Sequence, residues 1–369
     1  MSDNKKLKPG WKVWRFEQMA TNVNVRIDNP SESGMEHFIG LEHLDADSLK
    51  IRRWGAPSDV EATKLMFKTG DIIFGRRRAY QRKLGVAEFD GICSAHAMVL
   101  RAKPDVVIPE FLPFFMQGDL FMNRAVEISV GSLSPTINWK TMAVQEFAVP
   151  PMDEQHRLVK LLRAIEHERN SLLEAKAASD ALVSSIGKDV LENNPALRAD
   201  VGTLAKFASG DGIAVSLLSG SPTLEASVPV YGGNGVAGYT ATPLNKLPQE
   251  TVVIGRVGAY CGRTYFVEGD AWISDNALFT TFISDAVLPK YLAICLVAAN
   301  LNRLSTGGAQ PLINQQIVKS IKIPVPEIHE QKEIVESLES ISHKRIAFLQ
   351  RSDGLQELKQ MVLRGVRSV

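Results

Sequence analysis

The sequence predicts a mixed α/β (α+β) protein built twice over. Two similar globular domains are each followed by a long helix, and the two helices pair antiparallel as a coiled coil in a pseudo-twofold internal repeat. Three observations predict this. The chain matches itself at a nearly constant offset, strand-like runs and a short helical stretch precede each match, and a heptad-like apolar pattern runs through each match and beyond it.

The repeat is the strongest of the three. Shifted by 176 positions, residues 129–173 fall on 305–349 without a gap, and fifteen of the 45 aligned positions are identical. Random pairing would give roughly three. The matches include Gly131/Gly307, Pro135/Pro311, Ile137/Ile313, Asn138/Asn314, Pro150/Pro326, Glu154/Glu330 and Gln155/Gln331. Upstream the offset becomes 180: Gly75-Arg76 matches Gly255-Arg256, and Ala79-Tyr80 matches Ala259-Tyr260. The repeat unit is therefore domain plus helix, with a four-residue deletion in the second copy.

Each copy reads alike. Asp71-Ile72-Ile73-Phe74-Gly75 and Thr251-Val252-Val253-Ile254-Gly255 are strand-like, bounded by glycines and basic residues. Helical stretches are expected over 108–126 and 288–304, then short extended exits ending in proline, which no helix can run through. Asp153 and His329 stand where N-caps are expected, with Glu154 and Glu330 at the positive end of the helix dipole. The apolar seam is Leu158, Leu162, Ile165, Leu172, Val183, Ile186 and Val190 in one helix. In the other it is Ile334, Leu338, Ile341, Phe348, Leu355 and Val362. Two seams of similar length from one duplication favour helices that pack on each other over helices that each pack on their own domain. Gly187 and Gly354 weaken the expectation of unbroken helices. The boundaries expected are 1–152 for the first domain, 153–195 for the first helix, 196–327 for the second domain and 328–369 for the second helix.

Bulk properties exclude little. A net charge of +1 says nothing about partners, since a nucleic-acid binder needs a local basic patch. Three unpaired cysteines fit a reducing compartment. The lysine-rich N-terminus is not a secretory signal, and the longest apolar run, 291–299, is too short to cross a bilayer. A cytoplasmic protein with no membrane partner is expected.

Certain segments resemble one family. Val149-Pro150-Pro151-Met152-Asp153-Glu154-Gln155 and Val325-Pro326-Glu327-Ile328-His329-Glu330-Gln331 join domain to helix. The second domain adds Tyr231-Gly232-Gly233-Asn234-Gly235, Ile254-Gly255-Arg256-Val257-Gly258 and Trp272-Ile273-Ser274-Asp275-Asn276. In order and repetition these resemble the DNA-specificity subunit of type I restriction–modification systems. The resemblance implies two target-recognition domains, each reading half of a bipartite site in double-stranded DNA, with the coiled coil setting their spacing. It implies no catalysis by this chain and no cofactor bound to it. Two methyltransferase subunits are its implied partners, joined in the restricting complex by two translocating restriction subunits. That complex would use S-adenosylmethionine, ATP and Mg2+. The first domain departs from the pattern: Arg77-Arg78 stand where the second has Val257-Gly258, and the Tyr-Gly-Gly segment is missing.

Phosphate binding needs basic side chains, and base reading needs forked donors or amides at groove edges. The densest basic cluster is 75–83, where Arg76, Arg77, Arg78, Arg82 and Lys83 surround Tyr80 and Gln81. A solvated loop is the commoner fate of such a cluster, but the duplicated Gly-Arg…Ala-Tyr frame favours DNA contact. In the second copy Arg256, Tyr260 and Arg263 are candidates, with Tyr231 and Asn234 from the glycine loop. Arg76 and Arg256 are equally well read as structural ion pairs, with Asp90 and with Asp270 or Asp275.

Catalytic signatures are absent or weak. The chain has no Asn/Asp-Pro-Pro-Tyr/Phe methyltransferase motif and no phosphate-binding loop. The glycines of 207–212 read as a turn, because no convincing strand precedes them. Asp153 with Glu174-Ala175-Lys176 loosely suits a nuclease, but such triplets are common on charged helix faces. The repeat-related His167 and His343 read as seam or surface residues without metal-ligand spacing. A protein-binding scaffold, or a solitary nuclease or methyltransferase, are the rival readings.

Overall fold

A computed structural model describes residues 7–244, 247–306 and 311–365. The chain divides into two compact units, one comprising residues 1–172 with 350–369 and the other 173–349. The long helices, Met152–Asn193 and Ile328–Arg364, each contribute to both units. The division falls within the two long helices, after Leu172 and after Leu349. Among the described residues, no helix is long and apolar enough to cross a membrane.

In the first unit, strand Ile72–Phe74 lies between Met98–Ala102 and Leu84–Val86, and Ala20–Val23 completes the antiparallel sheet. A second sheet orders Arg26–Ile27, Lys64–Phe67, Gly91–Ser94 and Phe38–Ile39. The helix expected over 108–126 is two helices, Phe111–Gln117 and Asp119–Glu127. Gly118 breaks it by turning extended, at φ −67° and ψ 150°. Phe16, Phe74, Phe111 and Phe121 form the centre of the core under the first sheet.

The second unit repeats the first sheet with the same order: Ala205–Ser209, Ala277–Ile283, Glu250–Gly255, Thr264–Glu268. Its expected 288–304 helix runs only over Pro289–Ala298, and left-handed Asn300 (φ 48°) turns the chain into a 3-10 turn, Leu301–Leu304. The Tyr-Gly-Gly segment belongs to strand Val228–Gly232, which pairs in parallel with Trp272–Ile273. The first unit does have a counterpart: Phe38–Ile39 pairs in parallel with the same stretch of its own copy, Ile92 and Cys93. The topological place is filled, by residues with no sequence likeness beyond a following glycine.

The Glu-Gln pair at the start of each long helix has a structural reason. The Gln155 side chain is buried, accepts from the Ile108 amide at 2.9 Å, and donates to the Pro150 carbonyl at 2.9 Å and the Val106 carbonyl at 3.3 Å. Gln331 does the same with the Leu288 amide at 2.8 Å and the Pro326 and Ala286 carbonyls at 2.9 Å. These are the repeat-equivalent groups. Buried backbone polar groups need partners, and one amide serves three of them. Asp153 and His329 are not caps. The helices begin at Met152 and Ile328, and the first carbonyls accepting from the helix are those of Pro151 and Glu327.

The helices pack both on domain and on each other. Val159 belongs to the first unit's core, and Val190 and Val335 to the second's. In the first unit, Leu162 packs with Phe114 and Leu363, Glu166 pairs with Lys359, and Arg351 meets Glu168 at 2.8 Å. The residue numbers rise on one helix as they fall on the other, so the packing is antiparallel. In the second unit Asp180 meets Arg345 at 3.0 Å while Val190 and Val335 share one core, again antiparallel. Gly187 and Gly354 lie within the helices without interrupting them.

The seam of the first unit contains a residue that no apolar pattern would place there. Lys359 is fully buried over the Phe114 ring, paired with Glu166 and 3.4 Å from the Asp47 carbonyl. Burial pushes its ammonium below the ordinary lysine range, opposed by the Glu166 charge. The repeat-equivalent residues in the second unit are Val183 and Ser342, which carry no charge. A buried pair gains little over an apolar one, but a half-broken pair leaves an uncompensated charge. Lys359→Ala should therefore destabilise the chain by about 3–5 kcal/mol in denaturant unfolding. The double change Glu166→Leu with Lys359→Leu should recover most of that loss. Gln155→Ala or Gln331→Ala strands three buried backbone groups and should lower stability by at least about 3 kcal/mol in the same measurement.

Candidate nucleic-acid interface

Strand Ile72–Phe74 delivers the basic segment 75–83 to one end of its sheet, and the most faithful part of the repeat holds it there. The Ile137 amide donates to the Arg76 carbonyl at 3.0 Å and the Arg78 amide to the Pro135 carbonyl at 2.7 Å. In the second unit the Ile313 amide donates to the Arg256 carbonyl at 2.8 Å and the Gly258 amide to the Pro311 carbonyl at 3.1 Å. The repeated Pro-x-Ile-Asn is thus a backbone clasp on the arginine loop. Its asparagines open short helices, and Asn314 caps its own by accepting from the Ile317 amide at 2.9 Å. Gly307, another repeated position, lies outside the described residues.

The five basic residues of 75–83 have different fates. Arg82 is turned onto protein partners. It pairs with Asp47 at 2.7 Å and Asp119 at 3.4 Å, and donates to the Gln117 carbonyl at 2.5 Å. Lys83 donates to the Leu41 carbonyl at 2.7 Å. Arg77 and Arg78 instead converge on the Ser134 hydroxyl, at 3.1 and 3.2 Å, and neither makes an ion pair among the described residues. Arg77 also lies 3.4 Å from Nε2 of His96. Burial, then the charges of Arg77, Arg76 and Lys64, hold that imidazole below its ordinary range, so it faces the guanidinium uncharged. Tyr80 is exposed beside them, in the 3-10 turn Ala79–Gln81 that also carries Gln81.

The ion pairs considered for the strand-end arginines are not formed. Asp90 is taken by Lys68 at 2.7 Å and by the Thr69 amide at 2.8 Å, contacts that hold its carboxyl below the usual range. Arg76 donates to the Ala95 carbonyl at 3.0 Å, and its buried Nε has no partner among the described residues. It lines a cleft of roughly 230 Å³ with Asn22, Asn24 and Arg26. Arg256 donates to Ser209 at 3.1 Å, and its buried Nε likewise has no partner among the described residues. Asp270 and Asp275 are exposed and pair with neither.

In the second unit, residues far apart in sequence come together. Arg263 stacks on Tyr260, 4.2 Å from ring centre to guanidinium, and donates to the Asn234 side chain at 2.6 Å. Tyr231 is half-buried with its ring 6.0 Å from that of Tyr265, and burial raises its phenol above the ordinary range, keeping it a proton donor. The glycines explain the approach. A side chain at Gly255 would collide with the Gly233 carbonyl, so the Tyr-Gly-Gly-Asn turn rests directly on the strand end.

Two positions separate the loops. Gly258 and Gly262 have φ of +84° and +85°, and their counterparts in the first unit are Arg78 and Arg82, at +59° and +53°. A non-glycine residue in that region costs roughly 1–2 kcal/mol. The first unit holds two arginines in a backbone that glycine would adopt freely. Ser134 and His96, missed from sequence, are partners of Arg77. Ser134 could have been found, since it lies in the ungapped repeat beside Pro135.

Other chemistry is not assembled. A strand, Ala205–Ser209, does precede the 207–212 glycines, contrary to expectation: it forms the edge of the sheet, paired with Ala277–Ile283 and burying Ala205 and Phe207. No helix follows to form a cofactor loop; the chain passes instead to a 3-10 turn, Val215–Leu217. His167 and His343 are exposed on the helices, and no metal-binding group of side chains occurs among the described residues. Cys93, Cys261 and Cys295 are buried free thiols, and burial pushes Cys93 and Cys295 to about 12.

Comparison with known proteins gives one answer. The family model described as the type I restriction modification DNA specificity domain matches residues 59–179 and again 226–359. The type I restriction enzyme EcoDI specificity subunit of Escherichia coli is 28% identical over 152 residues, 41% of this chain but only 33% of that protein. The EcoprrI specificity subunit from the same organism is likewise matched over 33% of its length. The putative type I restriction enzyme MjaX specificity subunit of Methanocaldococcus jannaschii is 22% identical, over 82% of this chain and 79% of its own. The type I restriction–modification S subunit from M. genitalium has the same fold, with a TM-score of 0.65 at 12% identity, covering 99% of this chain and 98% of that one. The two matched segments hold more than half of the residues, one in each copy of the repeat, and the chain belongs to the type I restriction–modification DNA-specificity family.

Proposed function

We propose that this chain is a sequence-specific DNA-binding subunit that reads a bipartite target and brings modification and restriction subunits to it, without catalysis of its own. The observation that carries the reading is the pair of clasped arginine loops. The clasp and a tyrosine, Tyr80 or Tyr260, are repeated in both units, while the polar side chains around them differ: Arg77 and Arg78 in one, Arg263 joined to Asn234 of the neighbouring glycine turn in the other. A subunit that reads two unlike half-sites needs a common frame with different tips. Its partners are two methyltransferase subunits and, where restriction occurs, two translocases. S-adenosylmethionine, ATP and Mg2+ act on those subunits.

Within this reading, Arg77, Arg78 and Tyr80 meet DNA, and Arg82 and Lys83 shape the loop. Arg263 and Asn234 act as one donor unit, stiffened by the Tyr260 stack. A band-shift of duplex DNA with the chain and its methyltransferase partner tests it, and sequence-independent binding overturns it. Arg77→Ala and Arg78→Ala should each reduce the slope of log affinity against log salt by about 1. Arg82→Ala should instead lower thermal stability and leave that slope nearly unchanged. Arg78→Gly should weaken DNA binding while holding or raising stability by up to about 1 kcal/mol, because left-handed strain is relieved. Asn234→Ala should cost about tenfold in affinity for one half-site only, read by competition with duplexes altered in either half.

A further inference from the structure

Beside the Arg77–Arg78 pair stands an apolar tip that the DNA-binding reading has not used. Leu133 is 90% exposed and Val130 72% exposed, on the turn between the exit of helix Asp119–Glu127 and the clasp. The turn is tightly built. Val130 and Thr136 exchange backbone hydrogen bonds at 3.0 and 2.9 Å, Thr136 Oγ1 donates to the Ser134 carbonyl at 3.0 Å, and Gly131 sits at φ +115°, where side chains rarely fit. Both guanidiniums reach Ser134, the residue next to Leu133.

The repeat separates frame from tip. Ser129, Gly131, Pro135, Ile137 and Asn138 recur in the second copy, but Ser132-Leu133-Ser134 becomes Gly308-Ala309-Gln310 in sequence. The frame is retained and the outward residues vary, as expected of a reading element. Two arginines without carboxylate partners among the described residues favour a polyanion at this place, and an anion held by them lies within reach of Leu133. A well-braced, fully exposed leucine beside phosphate-binding groups suits contact with base edges or methyl groups in a groove.

We infer that Leu133, supported by Val130, is a specificity-determining residue that makes an apolar contact with bases of the half-site read by the first unit. The inference rests on the DNA-binding reading of the arginine loop. The test uses the full chain with its methyltransferase subunits and a duplex carrying the target mapped from the methylation pattern that the complex leaves on DNA. Leu133→Ala, harmless to folding at so exposed a position, should weaken binding to that duplex about tenfold, the size expected for burying a leucine. The salt slope should stay unchanged, and binding to unrelated duplex should not move. Val130→Ala should give a smaller loss of the same kind. Wild-type affinity in the Leu133→Ala complex, an equal loss on unrelated duplex, or an effect confined to self-association in sedimentation overturns the inference while leaving the arginine loop's role standing. A wild-type complex that does not prefer its target sinks both readings at once.

Discussion

Where a helix leaves a domain, backbone groups are buried that neither element can satisfy by itself. Gln155 and Gln331 resolve this at each junction by accepting from one amide and donating to two carbonyls. The amide side chain is suited because it is uncharged and offers donors and acceptor in one plane. A glutamate could not donate, and an alanine would leave orphaned groups at about 1–3 kcal/mol each. The direction in which each long helix departs depends on this contact, and so does the order of the segments just before it. Those segments begin at the clasp that carries the arginine loop.

From that shared frame the two units diverge in a consistent way. The second uses glycine wherever its loop turns left-handed or approaches another backbone: Gly258, Gly262 and Gly255 against Gly233. The first keeps arginine at the same left-handed positions and ties one of them, Arg82, to Asp47 and Asp119. The tie holds the strained backbone in place, and Arg78 is then presented outward by a loop that could otherwise relax. One unit offers charge on a strained loop; the other offers a stacked Arg–Tyr pair on a permissive one.

Much of this was legible in the sequence. The strand runs, the proline exits, the long helices and the duplication follow from periodicity and self-comparison, which are local signals. The basic cluster 75–83 could be singled out from its density and the repeated Gly-Arg…Ala-Tyr frame. Arg82 could not be separated there from Arg77 and Arg78, since its partners lie about 35 residues away, at Asp47, Gln117 and Asp119. The counterpart of the Tyr-Gly-Gly strand was invisible because parallel pairing asks only for an extended, buried segment, and Phe38–Ile39 meets that need with other side chains. Lys359 escaped because a buried cation is defined by its partner, Glu166, and not by any period. The proline–helix junctions were placed correctly but their caps were not, because Pro151 and Glu327 accept through main-chain carbonyls that any residue carries.

The first compact unit is discontinuous in sequence, taking its last helical segment from residues 350–364, whereas the second is continuous over 173–349. During synthesis the earlier domain therefore emerges long before the segment that covers Leu162 and Glu166. Until Lys359 and Leu363 leave the ribosome, a carboxylate and an apolar stripe on the first long helix remain open to water. The later domain has no such wait. A nascent chain of this kind finishes its second-made unit before its first-made one, and premature termination within the last helix harms the unit whose domain was translated earliest.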